Sequence, residues 1–220
     1  MIINQQAFRI RYRNEVDLAP SVSLSERLHE SSHSVVYRQG KAIYKLVKVR
    51  RYAKDSYEAL LKKSRTAQEV NSNRYLAELG FRVPELYFWG YAPGSRRYSE
   101  ALVMENLEDY ETIKQSVQTL RENKVLNKVL LQVAADLNTL ISQDMYFRDF
   151  HFDNVMANAR GEIAWIDTAL SHFKKKEKLY SRMTLRMRHL EEGNEKSKLF
   201  ERSEWELFHG SLKYSDGSRA

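Results

Sequence analysis

The sequence has no cysteine and only three prolines in 220 residues. Without cysteine there is no disulfide, no thiolate nucleophile, and no Cys-ligated zinc or iron–sulfur cluster. A reducing compartment fits that absence. Eight glycines and three prolines exclude collagen-like and low-complexity classes. Long apolar runs are missing too. No window approaches 18 consecutive apolar residues, so no membrane span is expected. Residues Met1 to Asn14 carry Arg9, Arg11 and Arg13 without an apolar run, which does not read as a secretory signal. No internal repeat is found.

What is present is an ordinary globular composition, 42% hydrophobic and 30% charged. A disordered chain is excluded by it. At roughly 100–200 residues per domain, the length allows one domain, or one domain with a small extra lobe. A chain of this size buries roughly 70% of the surface its unfolded form exposes. The net charge of +7 points to an anionic partner: nucleic acid, a phosphorylated ligand or a membrane surface. No zinc-finger spacing, RNP-type strand or other nucleic-acid motif is present, so no nucleic-acid partner is expected.

Periodicity and breakers divide the chain. His33 to Lys48 reads as two strands about a turn at Gln39-Gly40. Lys54 to Leu79 reads as one helix, ended by Gly80 and Pro84. Glu85 to Trp89 and Tyr98 to Met104 read as strands about a turn at Pro93-Gly94, and Glu111 to Ser116 as a short helix. Lys124 to Gln143 is a helix with an apolar stripe at Leu126, Leu130, Val133, Leu137 and Leu140. Phe147 to Asn154 is a polar, aromatic loop. Val155 to Ala157 and Ile163 to Ile166 form a hairpin, and the remainder is helical and basic. The order is α+β, changing character near residue 107.

The stretch Tyr146 to Thr168 carries the chemistry. Asp149 and Asn154 share one loop, and Asp167 follows 13 residues later at the end of an apolar strand. The hairpin between them folds back and brings Asp167 beside Asn154. Two oxygen-bearing side chains together suit Mg²⁺, which takes its remaining ligands from water and phosphate. Asp149 could then accept a proton from a hydroxyl nucleophile. Positioning and metal electrostatics are most of what phosphoryl transfer needs.

Phe147-Arg148-Asp149 followed by Asn154 resembles the catalytic loop of the protein-kinase-like fold, and Asp167-Thr168-Ala169 stands where D-F-G would. Ala42-Ile43-Tyr44-Lys45 resembles the V-A-I-K strand. The resemblance implies that Lys45 holds the α/β-phosphates, with Glu69 as its ion-pair partner and Glu58 as a rival. Leu102 to Leu107 resembles the hinge. There the backbone of Glu105 and Leu107 would bind adenine, with Met104 behind it. The implied fold is two-lobed: a small β-rich N-terminal lobe over about 1–104, a hinge at about 105–108, and a reduced, mostly helical C-terminal lobe over about 109–220.

Several positions depart from that pattern. Glu30-Ser31-Ser32-His33-Ser34 occupies the glycine-rich position with no glycine, so Ser31, Ser32 and Ser34 would offer the phosphate contacts. Phe147 replaces the catalytic-loop His. His151 stands where protein kinases carry Lys, as is common in small-molecule kinases of this fold. Only 53 residues follow Asp167 and no A-P-E segment appears, which disfavours a protein substrate. This short architecture, with Gly80-Phe81-Arg82-Val83-Pro84 at its joint, resembles the bacterial lipopolysaccharide kinase family. The resemblance implies ATP, Mg²⁺ and a Kdo or heptose hydroxyl on a lipid-anchored acceptor, at the cytoplasmic face of the inner membrane. Lys174 to Arg188 has seven basic residues interspersed with Leu179, Met183, Leu185 and Met187. It suits an anionic membrane surface, or equally a solvated helix whose apolar side packs inward. A second reading remains open: a non-catalytic kinase-like binding or regulatory protein, or a kinase of another small molecule or a protein.

Overall fold

The computed structural model describes residues 2–4, 8–14, 21–24, 26–92 and 95–214. The expected turn at Pro93-Gly94 lies outside them. In chain order the elements are β1 (Ile2–Asn4), β2 (Arg9–Arg13), β3 (Ser21–Ser23), β4 (Glu26–Glu30), β5 (Ser34–Gln39) and β6 (Ala42–Lys48). Two helices follow, α1 (Tyr52–Leu60) and α2 (Arg65–Glu78), then β7 (Leu86–Tyr91), β8 (Tyr98–Glu105) and β9 (Glu111–Thr112). Next come α3 (Ile113–Glu122), α4 (Leu126–Ser142) and β10 (Met145–Phe147), and a 3₁₀ turn at Phe152–Asn154. The chain closes with β11 (Val155–Ala157), β12 (Ile163–Trp165), β13 (Leu170–His172), α5 (Lys176–Ser197) and α6 (Arg202–Gly210). No helix among the described residues is long and apolar enough to cross a membrane.

The chain forms two compact units. One comprises residues 1–75 and 84–108, the other 76–83 and 109–220. The first unit is built on a six-stranded antiparallel sheet of order β2-β7-β8-β6-β5-β4. β6 alternates by residue: Ala42, Tyr44 and Leu46 are buried in one cluster with Phe88, Ala101 and Val103. Lys45 pairs in register with Leu102, so these two share the opposite face. There Leu102 and Trp89 pack against Ala67 and Val70 of α2. The alternation thus aims Lys45 toward the helix.

The single helix expected over Lys54 to Leu79 is two helices. Lys62 takes a left-handed φ of 55°, and Ser64 Oγ accepts the Ala67 N–H at 3.1 Å, starting α2 afresh. Gly80, with φ +84°, closes α2 in the region glycine tolerates best. The short helix expected over Glu111 to Ser116 is instead a two-residue strand and a ten-residue helix. Its cap is Thr112, whose hydroxyl accepts the Gln115 N–H at 3.3 Å. Strands β1 to β4 were not legible in their composition.

The second unit packs around α4, whose stripe Leu126, Val129, Leu130, Val133, Leu137 and Leu140 is buried. α5 contributes Leu179, Met183 and Met187, and α6 contributes Trp205 and Phe208. Strands β12, β11 and β9 form a three-stranded sheet, and β10 pairs with β13. The turn of the β11–β12 hairpin needs a glycine. Gly161 has φ +72°, and a Cβ there would meet Val125 Cβ at 3.0 Å.

Candidate active site

In the first unit, Lys45 Nζ donates to both carboxylate oxygens of Glu69, at 2.9 and 2.7 Å. Both side chains are mostly buried. Glu69 lies in the stripe of α2 that also buries Thr66, Ala67, Val70, Asn73 and Leu76. A carboxylate in a buried stripe needs a partner, and the register of β6 supplies one. The rival Glu58 pairs with Lys54 at 3.5 Å, within α1. Behind Glu69, buried Glu100 of β8 accepts hydrogen bonds from Ser64 Oγ at 2.8 Å and Trp89 Nε1 at 3.0 Å. Burial pushes its carboxyl pKa up against those donors.

Met104 stands opposite Ile43, on the Lys45 face of the sheet, and packs with the α2 cluster. The Glu105 N–H donates to the Glu85 carbonyl at 2.8 Å, and Leu107 is buried. The serine loop between β4 and β5 is closed on itself. Ser31 Oγ accepts the N–H groups of His33 and Ser34, each at 3.1 Å, and Ser31 N–H donates to the Ser34 carbonyl at 2.9 Å. Ser32 Oγ meets His33 Nδ1 at 2.8 Å.

In the second unit, Asn154 directly precedes β11 and Asp167 follows β12 by two residues, at the same end of the hairpin. Val155 pairs with Trp165, and the Ile166 N–H donates to the Asn154 carbonyl at 3.0 Å. Asn154 Nδ2 donates to the Asp149 carbonyl at 2.9 Å, and the Arg148 N–H donates to the Ala169 carbonyl at 2.8 Å. The loop and the segment after Asp167 are therefore one structure. Phe147, in the place of the catalytic His, is buried and stacks on Trp165 at 4.2 Å between centroids. Asp167 has φ 51°, a left-handed conformation unusual for a carboxylate residue outside turns. His151 is half-buried, and its Nδ1 lies 3.6 Å from Asp153 Oδ2.

Asn154 and Asp167 offer oxygen donors of the hard type that suits Mg²⁺. Among the described residues there is no cluster of three or more Asp, Glu, His or Cys that would make a self-sufficient metal cage. An ion held here would take its other ligands from phosphate and water, as Mg²⁺ does.

Residue patterning missed Arg186. It donates from Nη2 to Asp149 Oδ1 at 2.7 Å and is mostly buried, whereas Asp149 is exposed. The signal was there: Arg186 stands three residues after Met183, on the flank of the stripe formed by Leu179, Met183 and Met187. Arg182, on the same flank, reaches the Arg148 carbonyl at 3.4 Å. Part of the basic stretch therefore turns toward the loop.

The ion pair from strand to helix, the loop and the hairpin-borne Asp are the parts of a protein-kinase-like fold. The chain matches the lipopolysaccharide kinase (Kdo/WaaP) family over residues 23–207, and it belongs to that family. Among solved structures it is similar to a 2.2 Å crystal structure of WbdD, with a TM-score of 0.51 and 15% identity. That likeness covers 91% of this chain and 48% of the WbdD chain. A medium-resolution structure of the bifunctional kinase-methyltransferase WbdD gives a TM-score of 0.50 and 14% identity, over 91% and 49% of the two chains. The chain thus spans about half the length of these relatives, and the likeness is one of fold. No curated protein matches it in sequence.

Proposed function

We propose that the protein transfers the γ-phosphoryl group of ATP to a hydroxyl of Kdo or heptose in the lipopolysaccharide inner core. The observation that carries this reading is the Lys45–Glu69 ion pair, in a chain of the lipopolysaccharide kinase family. Lys45, held by Glu69, binds the α/β-phosphates. Met104, Glu105 and Leu107 receive the adenine. Asn154 and Asp167 hold Mg²⁺, which when bound neutralises charge on the transferring phosphate. The acceptor oxygen bonds to the γ-phosphorus as the bond to the β–γ bridging oxygen breaks, releasing ADP. The hydroxyl proton passes to the Asp149 carboxylate, which Arg186 orients. His151, two residues beyond Asp149, faces the transferring phosphate. Ser31, Ser32 and Ser34 cover the phosphates, with fewer open amides than a glycine loop provides.

The protein acts at the cytoplasmic face of the inner membrane, where ATP and the lipid-anchored acceptor meet. Attachment there is electrostatic, through the lysines at the start of the Lys174–Arg188 stretch.

The decisive experiment offers labelled ATP and Mg²⁺ with Kdo- and heptose-containing core glycolipids, aminoglycosides and generic protein. Label is expected in the inner-core glycolipid alone. Asp149→Asn is expected to lose about 10²–10⁴-fold in kcat while ATP affinity is kept. The closed serine loop favours the second reading, a non-catalytic binding protein. Wild-type protein that binds ATP but labels no acceptor would establish that reading instead.

A further inference from the structure

A cavity of about 250 Å³ opens in the first unit between the end of β6, α1, the start of α2 and β8. It is separate from the Lys45–Glu69 pair, which is absent from its lining. Three arginines line it: Arg50, Arg51 and Arg65. The acids around it each have donors of their own. Asp55 Oδ2 accepts the backbone N–H groups of Arg50 and Arg51, at 2.6 and 2.9 Å. Glu58 pairs with Lys54. Glu100 is buried and bonded to Ser64 and Trp89. Lys48, also in the lining, pairs with Glu30 at 2.6 Å.

The arginines lack such counter-charges. Arg50 Nη1 meets His33 Nε2 at 2.7 Å. A guanidinium can only donate, so His33 accepts at Nε2 and carries its proton on Nδ1, toward Ser32 Oγ. The partner of Arg50 is thus an imidazole nitrogen and not a carboxylate. Arg51 and Arg65 form no side-chain ion pair among the described residues. Three guanidinium groups about one small cavity, none of them in a side-chain ion pair among the described residues, make a site for a doubly charged tetrahedral anion, whose oxygens match the guanidinium fork.

We infer that this cavity binds a phosphate group, as inorganic phosphate or as the phosphomonoester headgroup of a lipid. The volume is below the roughly 300–1,000 Å³ of sites for drug-sized ligands, which suits a headgroup. The bound anion ties the α1–α2 break, residues 61–64, to the end of β6. Because Ser64 also bonds Glu100, the anion steadies the start of the helix that carries Glu69.

The test uses the full chain with Lys45→Met, which removes the phosphate anchor of the nucleotide site. Amide hydrogen exchange over residues 50–66 is followed at constant ionic strength with two probes. One is inorganic phosphate, the other phosphatidylcholine vesicles containing phosphatidic acid. Slower exchange in this segment with either probe is expected, and the effective probe tells which source the site takes. Adding Arg51→Gln and Arg65→Gln, both at exposed positions, should weaken that binding at least tenfold while leaving the probe-free melting temperature unchanged. Protection that disappears with Lys45→Met alone, or that survives both arginine changes, would overturn the assignment. So would the absence of protection with both probes.

Discussion

Asp136 shows how a residue remote from any reacting group sets the site. It is partly buried on α4, where Oδ2 accepts the Trp165 Nε1 proton at 2.6 Å and Oδ1 accepts from Gln132 at 2.8 Å. Trp165 in turn stacks on Phe147 and precedes Asp167 by two residues. Burial pushes the Asp136 pKa above the ordinary carboxylate value, against the effect of its two donors. A carboxyl whose pKa is raised on folding binds its proton more tightly when folded. Stability is therefore lost as pH rises above about 3.8 and through the raised value. Asp136→Asn keeps the acceptor for Trp165, and Gln132 can turn its carbonyl to the new amide. The variant should match the wild type near pH 4 and exceed its melting temperature by about 2–4 °C at pH 8, the size of a 1 kcal/mol change in a chain of this length. Thermal scans across that range check it; a difference independent of pH would contradict the buried-charge argument.

Helices α3 and α6 are joined by an ion pair in which Arg121 Nε and Nη2 each donate to Glu204 at 2.8 Å. Glu204 is buried, and the Glu201 N–H donates to its carboxylate as well, completing a capping box. Arg121 holds the Glu204 pKa below the ordinary range, outweighing burial. For a lowered carboxylate the stability is fully present above about pH 4.5 and lost as pH falls through the lowered value. Arg121→Ala leaves a buried carboxylate without its partner. The expected cost at pH 7 is about 2–3 kcal/mol, between exposed and fully buried pairs. Denaturant titrations at pH 7 and pH 3 should show that deficit shrinking in acid. α5 settles the reading of its basic stretch differently along its length. Leu179, Met183 and Met187 are buried, so the apolar side packs inward, and only Leu185 remains exposed.

Taken over the whole molecule, a net charge of +7 is distributed among three roles. Lys45, Arg121 and Arg186 are matched to carboxylates. Arg50, Arg51 and Arg65 line a cavity and form no side-chain ion pair among the described residues. Lys174 to Lys178 lead into α5 with one acid, Glu177, among four lysines. With the apolar residues of α5 turned inward, the proposed membrane attachment rests on charge alone. Flotation with vesicles rich in anionic lipid should retain the protein at 0.05 M salt and release it at 0.5 M. Retention at high salt would require an apolar insertion that Leu185 by itself does not provide.

The sequence by itself determined much of the site. The loop that carries Asp149 and Asn154 and the hairpin that leads to Asp167 were legible because both are local, and Val155 pairs with Trp165 as that hairpin requires. Lys45 was legible through the resemblance of Ala42-Ile43-Tyr44-Lys45 to the V-A-I-K strand, and the apolar stripe of α4 from its period. Four things were decided only by the tertiary structure. Glu69 rather than Glu58 meets Lys45, because the break at 61–64 redirects the chain between the two acids. Ser31 bonds its own loop's amides, a choice that composition does not encode. Arg186 reaches Asp149 across 37 residues, and Arg50, Arg51 and Arg65 gather about one cavity. The physical reason is common to all four. A charged side chain is soluble by itself and carries no periodic mark, so its partner is chosen by which distant segments the packed apolar faces bring within hydrogen-bonding reach.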